Sequence, residues 1–279
     1  MAPALACPVC GASLALVEGT PRALRCADGH SFDVARQGHV VLLSGGTRLR
    51  ADTTDMVAAR ARVLGSGAYD PVTATVRDAL VAAAPPAGLL LDLGAGTGHH
   101  TAAVLDALPG RDGVALELSV PALRRAARAH TRLAAVGADL TRPLPLRGGV
   151  AGAVLALFAP LPTVEELARV CAPGAVVVVV TPEPGHLATL RTRLDLLDVP
   201  AGKPDRLADR LGTGFGPVAC VGVEARVRWT AEQAGDVVAM GPNAWHPSAA
   251  RTASLAAMAE HAETTEDTVA VTVSSFVRR

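Results

Sequence analysis

Lysine is almost absent from this chain. Lys203 is the only one, so the cationic surface is built from arginine. Any phosphate contact therefore falls to a planar guanidinium, which can grip two oxygens at once. Aromatic residues are scarce too, at 3% of the sequence, so a core has to be assembled from Ala, Val and Leu. No run of about 18 uncharged apolar residues occurs, and the apolar stretch Ala172 to Pro182 is too short for a membrane span and reads as a buried strand. The N-terminus has no basic region followed by a long apolar one, so no signal peptide is expected and the expected location is the cytoplasm. Nor is there an excess of charge: 26 basic residues balance 26 acidic ones. A nucleic-acid partner would need local basic patches. The 279 residues, half of them hydrophobic, suffice for one large domain or a medium one with a small appendage.

Among the five cysteines, three combine with a histidine at a telling spacing. Cys7, Cys10, Cys26 and His30 form C-x2-C followed by C-x3-H. Each pair can sit on a tight knuckle, and the residues between can form a hairpin that brings the pairs together around a tetrahedral Zn2+. About forty residues hold little core of their own, so a structural metal would supply the missing folding energy. A redox C-x-x-C and unrelated buried thiols are the rival readings. The redox pair would be expected in a βαβ setting, which this segment lacks. His39 is a spare, a surface or packing histidine. Cys171 and Cys220 have no partner motif and read as buried small hydrophobes.

The stretch Leu89 to Thr101 couples an apolar run of strand length to a turn with glycines at alternate positions, Gly94, Gly96 and Gly98. A helix-like segment, Thr101 to Leu108, follows. Such a turn lets a ligand lie against the backbone, and the helix N-terminus offers free N–H groups. The spacing is not that of the dinucleotide fingerprint G-x-G-x-x-G. With Asp92 two residues ahead of the first glycine, it resembles motif I of class I S-adenosylmethionine (SAM) methyltransferases. That resemblance implies a Rossmann-like α/β fold with a seven-stranded sheet, and SAM as cofactor. A glycine turn with no ligand is the plain alternative. Strand Gly113–Glu117, helix Val120–His130 and strand Ala134–Asp139 come next. In such a fold Glu117 would accept from both ribose hydroxyls and Asp139 from the adenine amino group; helix caps or turns are the alternative for both acids. Strand Val150–Leu157 ends in Phe158-Ala-Pro160, helix Val164–Val170 follows, and Ala172-Pro-Gly174 reads as a turn before strand Ala175–Thr181. A strand at Val218–Trp229, helices at Ala231–Met240 and Ala249–Ala262, and a last strand at Thr268–Val277, antiparallel to its neighbours, complete the expected sheet.

A second resemblance covers nearly the whole chain. The run His30-x-Phe32-Asp33-x-Ala35-Arg36-x-Gly38-His39-Val40-x-Leu42-Leu43 is similar to the segment that follows the zinc ribbon in the RlmA family of 23S rRNA (guanine-N1)-methyltransferases. Further matches are Ala59-Arg60 through Tyr69-Asp70-Pro71, Glu166-Leu167 through His186-Leu187, and Met240-x-Pro242-x-x-Trp245. The stretch from Asp198 to Val218 matches least. The resemblance implies that Tyr69 and His186, and His99 beside the glycine turn, contact SAM. By itself Tyr69, the only tyrosine, reads as a core residue and His186 as a loop histidine. The implied division is a zinc-binding RNA-recognition domain (1–44), a helical connector (45–88) and a methyltransferase domain (89–279). The implied reaction is methylation of guanine N1 in a 23S rRNA hairpin near the peptide exit tunnel, by a homodimer. Two branches of the family modify guanine 745 or 748, and the macrolide-resistance branch, which gives resistance to tylosin-type drugs, takes 748. Arg48, Arg50, Arg60 and Arg62 are either an RNA-facing patch or an ordinary solvated face. Trp245 is either a base-stacking platform or a core plug. The group that handles the guanine N1 proton has no sequence signature; the loop after the strand ending at Leu157 is where it is sought. A small-molecule methyltransferase and a zinc-ribbon nucleic-acid-binding protein with an inactive methyltransferase domain are the alternatives.

Overall fold

The computed structural model describes residues 2–17, 22–43 and 50–279. Arg48 lies outside them. The N-terminal segment forms a three-stranded antiparallel sheet from β1 (Ala15–Val17), β2 (Ala23–Arg25) and β3 (Ser31–Asp33). A two-residue strand, β4 (Val40–Val41), leaves it. Two helices follow. Thr53 caps α1 (Thr54–Gly65) by accepting from the Met56 amide. α2 (Asp70–Ala83) opens on Pro71 and stops where Ala84 turns left-handed ahead of Pro85-Pro86.

The large sheet is laid down by β5 (Leu89–Leu93), α3 (His99–Ala107), β6 (Gly113–Glu117), α4 (Val120–Ala129), β7 (Leu133–Gly137), β8 (Ala151–Leu157), α5 (Val164–Val170) and β9 (Cys171–Pro182). It is completed by α6 (Ala188–Leu194), α7 (Lys203–Leu211), β10 (Phe215–Thr230), α8 (Ala231–Ala239), α9 (Ala249–Glu260) and β11 (Thr264–Arg278). The strand order is β10-β11-β9-β8-β5-β6-β7-β4, and β11 runs antiparallel to both neighbours. The strand count is eight rather than the expected seven, because β4 pairs in parallel with β7. The expected turn at Ala172-Pro-Gly174 is a bulge inside β9, where pairing shifts between Ala151 and Ala153 of β8. β8 is buried at all seven positions, as a parallel strand covered on both faces must be.

The chain order reverses between β5 and β8, and ligands bind such sheets at the carboxyl ends of the strands flanking that switch. The crossover from β7 to β8 carries no helix. The N-terminal ribbon lies where a crossover helix would pack. Its Leu5, Leu14 and Leu24 share one buried cluster with Leu91, Leu93, Val114 and Leu116 of the sheet. Backbone bonds tie the ribbon down as well: Ala6 N–H to Pro145 O (3.0 Å), Arg147 N–H to Ala4 O (2.9 Å) and Leu42 N–H to Gly137 O (2.8 Å).

Candidate active site

In the ribbon, the ligand atoms of Cys7, Cys10, Cys26 and His30 lie within 4.8 Å of one another. Cys10 Sγ is 3.7 Å from Cys26 Sγ, which is 3.3 Å from His30 Nδ1. A tetrahedron with metal–sulfur bonds of about 2.3 Å has edges of about 3.8 Å, so the donor set is spaced for Zn2+ with Nδ1 as the nitrogen ligand. His39 is buried and belongs to the packing against α4, with Arg124 nearby. Cys220 departs from expectation: it is exposed on β10, whereas Cys171 is buried.

At the switch point a cavity of about 530 Å3 opens over the ends of β5, β6 and β8. Tyr69, Asp92, Gly94, Gly96, His99, Glu117, Asp139 and His186 all line it. Gly98 does not. It caps α3 with φ +76°, and a Cβ there would meet Ala129 Cβ at 3.1 Å and Ala126 Cα at 3.2 Å, so its role is close packing on α4. Gly94 (φ +70°) carries the closest approach: a Cβ would stand 2.6 Å from Ala159 Cβ. The glycine turn and the Phe158-Ala-Pro160 loop thus face each other across the site.

Glu117 organises the turn. One carboxylate oxygen accepts from the Gly96 amide, and the other from the amides of Leu118 and Ser119, each at 2.8 Å. Asp139 accepts from the amide (2.9 Å) and hydroxyl (2.6 Å) of Thr141. Asp92 is buried and accepts from the Thr101 hydroxyl; burial pushes its carboxyl up to about 7, with the Glu117 charge adding to the rise.

The far wall is uncharged. Burial lowers His186 to about 4, with Arg191 adding to the effect. Its Nδ1 accepts from the Ala270 amide (3.3 Å), so the neutral ring carries its proton on Nε2 and donates to the Tyr69 hydroxyl (3.3 Å). The Tyr69 proton is then left to point elsewhere, and burial pushes that hydroxyl up, so it acts as a donor and not as a base. Phe158 packs edge-on against Tyr69 at 6.0 Å while its backbone sits at φ +56°. A bulky residue held there stores about 1–3 kcal/mol, typical of a functional loop.

Several lining residues escaped the sequence reading. His100, lowered to about 3 by burial and by its neighbour His99, is bonded to the Thr73 hydroxyl at 2.8 Å. Only its adjacency to His99 could have signalled it. Arg60 and Arg62, nominated for an RNA-facing patch, are engaged internally instead. Arg60 pairs with Asp52 and donates to Met240 O (2.6 Å), and Arg62 binds Asp236 through two bonds of 2.8 and 2.5 Å. Arg50 lies over the Trp245 ring, 5.5 Å from its centroid, at the rim of the cavity.

Comparison with known proteins decides the family. Residues 5–44 match the N-terminal zinc-ribbon domain of RlmA. The 23S rRNA (guanine(748)-N(1))-methyltransferase of Streptomyces fradiae is 47% identical over 246 residues, covering 87% of this chain and 86% of that protein. The chain belongs to the RlmA family of 23S rRNA (guanine-N1)-methyltransferases. A relative from Micromonospora griseorubida, also described as a 23S rRNA (guanine-N(1)-)-methyltransferase, is 44% identical over 274 residues and 92% of each chain. Solved structures agree on a class I methyltransferase fold. A Bacillus halodurans methyltransferase superposes with a TM-score of 0.51 at 15% identity, covering 74% of this chain and 97% of that one. The cyclase SpnF gives 0.53 at 18% identity, covering 83% and 98%. A cyclase on this fold is a reminder that the reaction has to be argued from the RlmA-type site, not from the fold.

Proposed function

We propose that the protein transfers the methyl group of SAM to N1 of guanine 748 in a 23S rRNA hairpin near the peptide exit tunnel, in the cytoplasm and as a homodimer. The modification confers resistance to tylosin-type macrolides. The observation that carries the reading is the 47% identity, over 87% of the chain, to a guanine-748 enzyme. Zn2+ held by Cys7, Cys10, Cys26 and His30 cross-links the ribbon. SAM fits the donor set of the cavity: carboxylates at Glu117 and Asp139 for ribose and adenine, and a glycine turn with no room for side chains at Gly94. When bound, its sulfonium makes the methyl group electrophilic. Neutral His100 and His186 keep positive charge away from that cation, and buried Asp92 supplies the balancing carboxylate. Tyr69 and Phe158 border the space left for the base, where alignment with N1 is the main catalytic task.

The test is primer extension on 23S rRNA from a strain lacking the modification, after incubation with protein and SAM. A new stop at guanine 748 is expected, since a methyl on N1 blocks pairing. A stop at 745 overturns the resistance assignment, and no stop overturns the reaction.

A pH dependence follows from Asp92. Its carboxyl titrates near 7, well above an ordinary aspartate, so below that pH it is protonated and offers no charge to a cationic ligand. SAM affinity is therefore expected to rise with pH between 6 and 8, by up to tenfold per unit below 7, and to level off above. Titration calorimetry across that range checks this, and Asp92→Asn should flatten the slope. An equal slope in the variant would place the titrating group elsewhere.

A further inference from the structure

Two open cavities lie along the seam between the metal knuckle and the β7–β8 crossover. One, of about 260 Å3, is lined by Pro8, Leu42, Asp139, Arg142, Pro143 and Pro145. The other, of about 500 Å3, continues from the same three prolines to Gly11 and Arg147. Asp139 also lines the cofactor cavity. The two open cavities form one groove under the knuckle, from Arg142 to Arg147, and buried Asp139 is the wall between it and the cofactor cavity.

Its walls are rigid. The ribbon is bonded to the crossover at Ala6–Pro145 and Ala4–Arg147. The crossover carbonyls of Leu144 and Leu146 accept from Arg169, whose charge is in turn met by Glu166. Arg147 is different. It is exposed, and its guanidinium has no hydrogen bond or ion pair among the described residues. Arg142 is 46% exposed along its side chain and stands 4.0 Å from Asp139, at the looser limit of an ion pair. Arg60, Arg62, Arg191, Arg193 and Arg228 have carboxylate partners, while exposed Arg125, Arg128 and Arg226 share the lack of one among the described residues; Arg147 is set apart from these by lining a cavity. Val9, 65% exposed, adds an apolar surface at the knuckle tip beside Pro8.

We infer that this groove is a binding track for the RNA strand that flanks the target guanine, with Arg142 and Arg147 on successive stretches of its phosphate backbone. The inference rests on the rRNA methyltransferase reading and names a second contact for the substrate outside the active site. A guanidinium without a partner among the described residues, set in a narrow groove floored by proline, suits the charge of a phosphodiester.

The experiment compares full-length wild type with Arg147→Glu and with Arg142→Glu/Arg147→Glu. SAM affinity, 23S rRNA affinity at several salt concentrations, and the KM and kcat for methylation are measured. Arg77→Glu on α2 serves as a charge control away from the groove. Expected are unchanged SAM affinity for Arg147→Glu, a KM for rRNA raised more than tenfold, and a salt slope of binding reduced by about 0.7 for each arginine lost. If a reversed charge unfolds the protein, Arg142→Ala/Arg147→Ala reads the same slope. Equal KM and equal slope in folded variants, or an equal loss in Arg77→Glu, overturns the groove while the methyltransferase reading stands. A wild type that binds rRNA but leaves it unmethylated fails the reading instead, and the binding slopes still decide the groove.

Discussion

Stripping the metal is expected to cost the protein its fold, and not merely its grip on RNA. Among its described residues the ribbon has three short strands and a single 3-10 turn (Ala2–Ala4), so its ordering depends on the cross-link at Cys7, Cys10, Cys26 and His30. Structural zinc contributes on the order of 10 kcal/mol to small metal-folded domains. In many proteins such a loss would stay local. Here the ribbon is the cover of one sheet face: Leu5, Leu14 and Leu24 are buried in the same cluster as Leu91, Leu93, Val114 and Leu116. Re-exposing three leucines alone costs about 5–9 kcal/mol, comparable to the whole stability of a typical domain. A chelator, or Cys26→Ser, should therefore release the metal, lower the melting temperature by about 10 °C or more, and abolish SAM binding, although no ligand of the metal lines the SAM cavity. Metal analysis, a thermal melt and calorimetry with SAM check the three. A metal-free protein that melts at the same temperature and still binds SAM would show that the ribbon is an independent appendage.

That coupling is the part of the architecture hardest to see in the sequence. The strands β5, β6 and β8 declare themselves as apolar runs, and in the structure Thr53, Ser119 and Thr163 cap the helices that follow them. The four metal ligands and the glycine turn are legible from spacing, because metal geometry and tight turns restrict residue type locally. By contrast, β4 is two residues long and owes its existence to a partner strand nearly a hundred positions away, so no local pattern announces it. The missing crossover helix can be noticed in the sequence, but what fills its place cannot. Nor can an arginine's direction be read from its neighbours: Arg60 and Arg62 look like a surface patch until Asp52, Met240 and Asp236 are seen to receive them. α7 falls where the family resemblance was weakest, and neither it nor the seven-residue α6 was distinguished from loop. Of the cavity lining, Glu117 and Asp139 were nominated through the resemblance to motif I and the strands after it, and both also bind local turn amides, the alternative kept open for them. His100 was not, since its role comes from burial, and although the Phe158 loop was singled out, its left-handed backbone was not foreseeable.

Replacing Glu117 by Gln is expected to raise the dissociation constant for SAM about a hundredfold while leaving the fold intact. The carboxylate accepts from three amides, one of them Gly96 in the glycine turn. Gln can keep one acceptor for the Leu118 and Ser119 amides, but its NH2 then faces the Gly96 N–H, donor against donor. The turn is released at the point where the cofactor lies, and the same oxygen is lost to the ribose. Hydrogen bonds to a charged group are each worth about 1.5–3 kcal/mol, and 1.4 kcal/mol is a factor of ten in affinity. Two such losses reach a hundredfold or beyond. Glu117 is only half-buried, so water can satisfy the freed amide in the empty protein and stability should fall little. Calorimetry with SAM and a thermal melt separate the two effects. If Glu117→Asp, which keeps the charge on a shorter side chain, binds as weakly as Glu117→Gln, the reach of the carboxylate matters as much as its charge. If Glu117→Gln binds SAM like wild type, the acid serves only to shape the turn, and the ribose must be held by another group of the cavity.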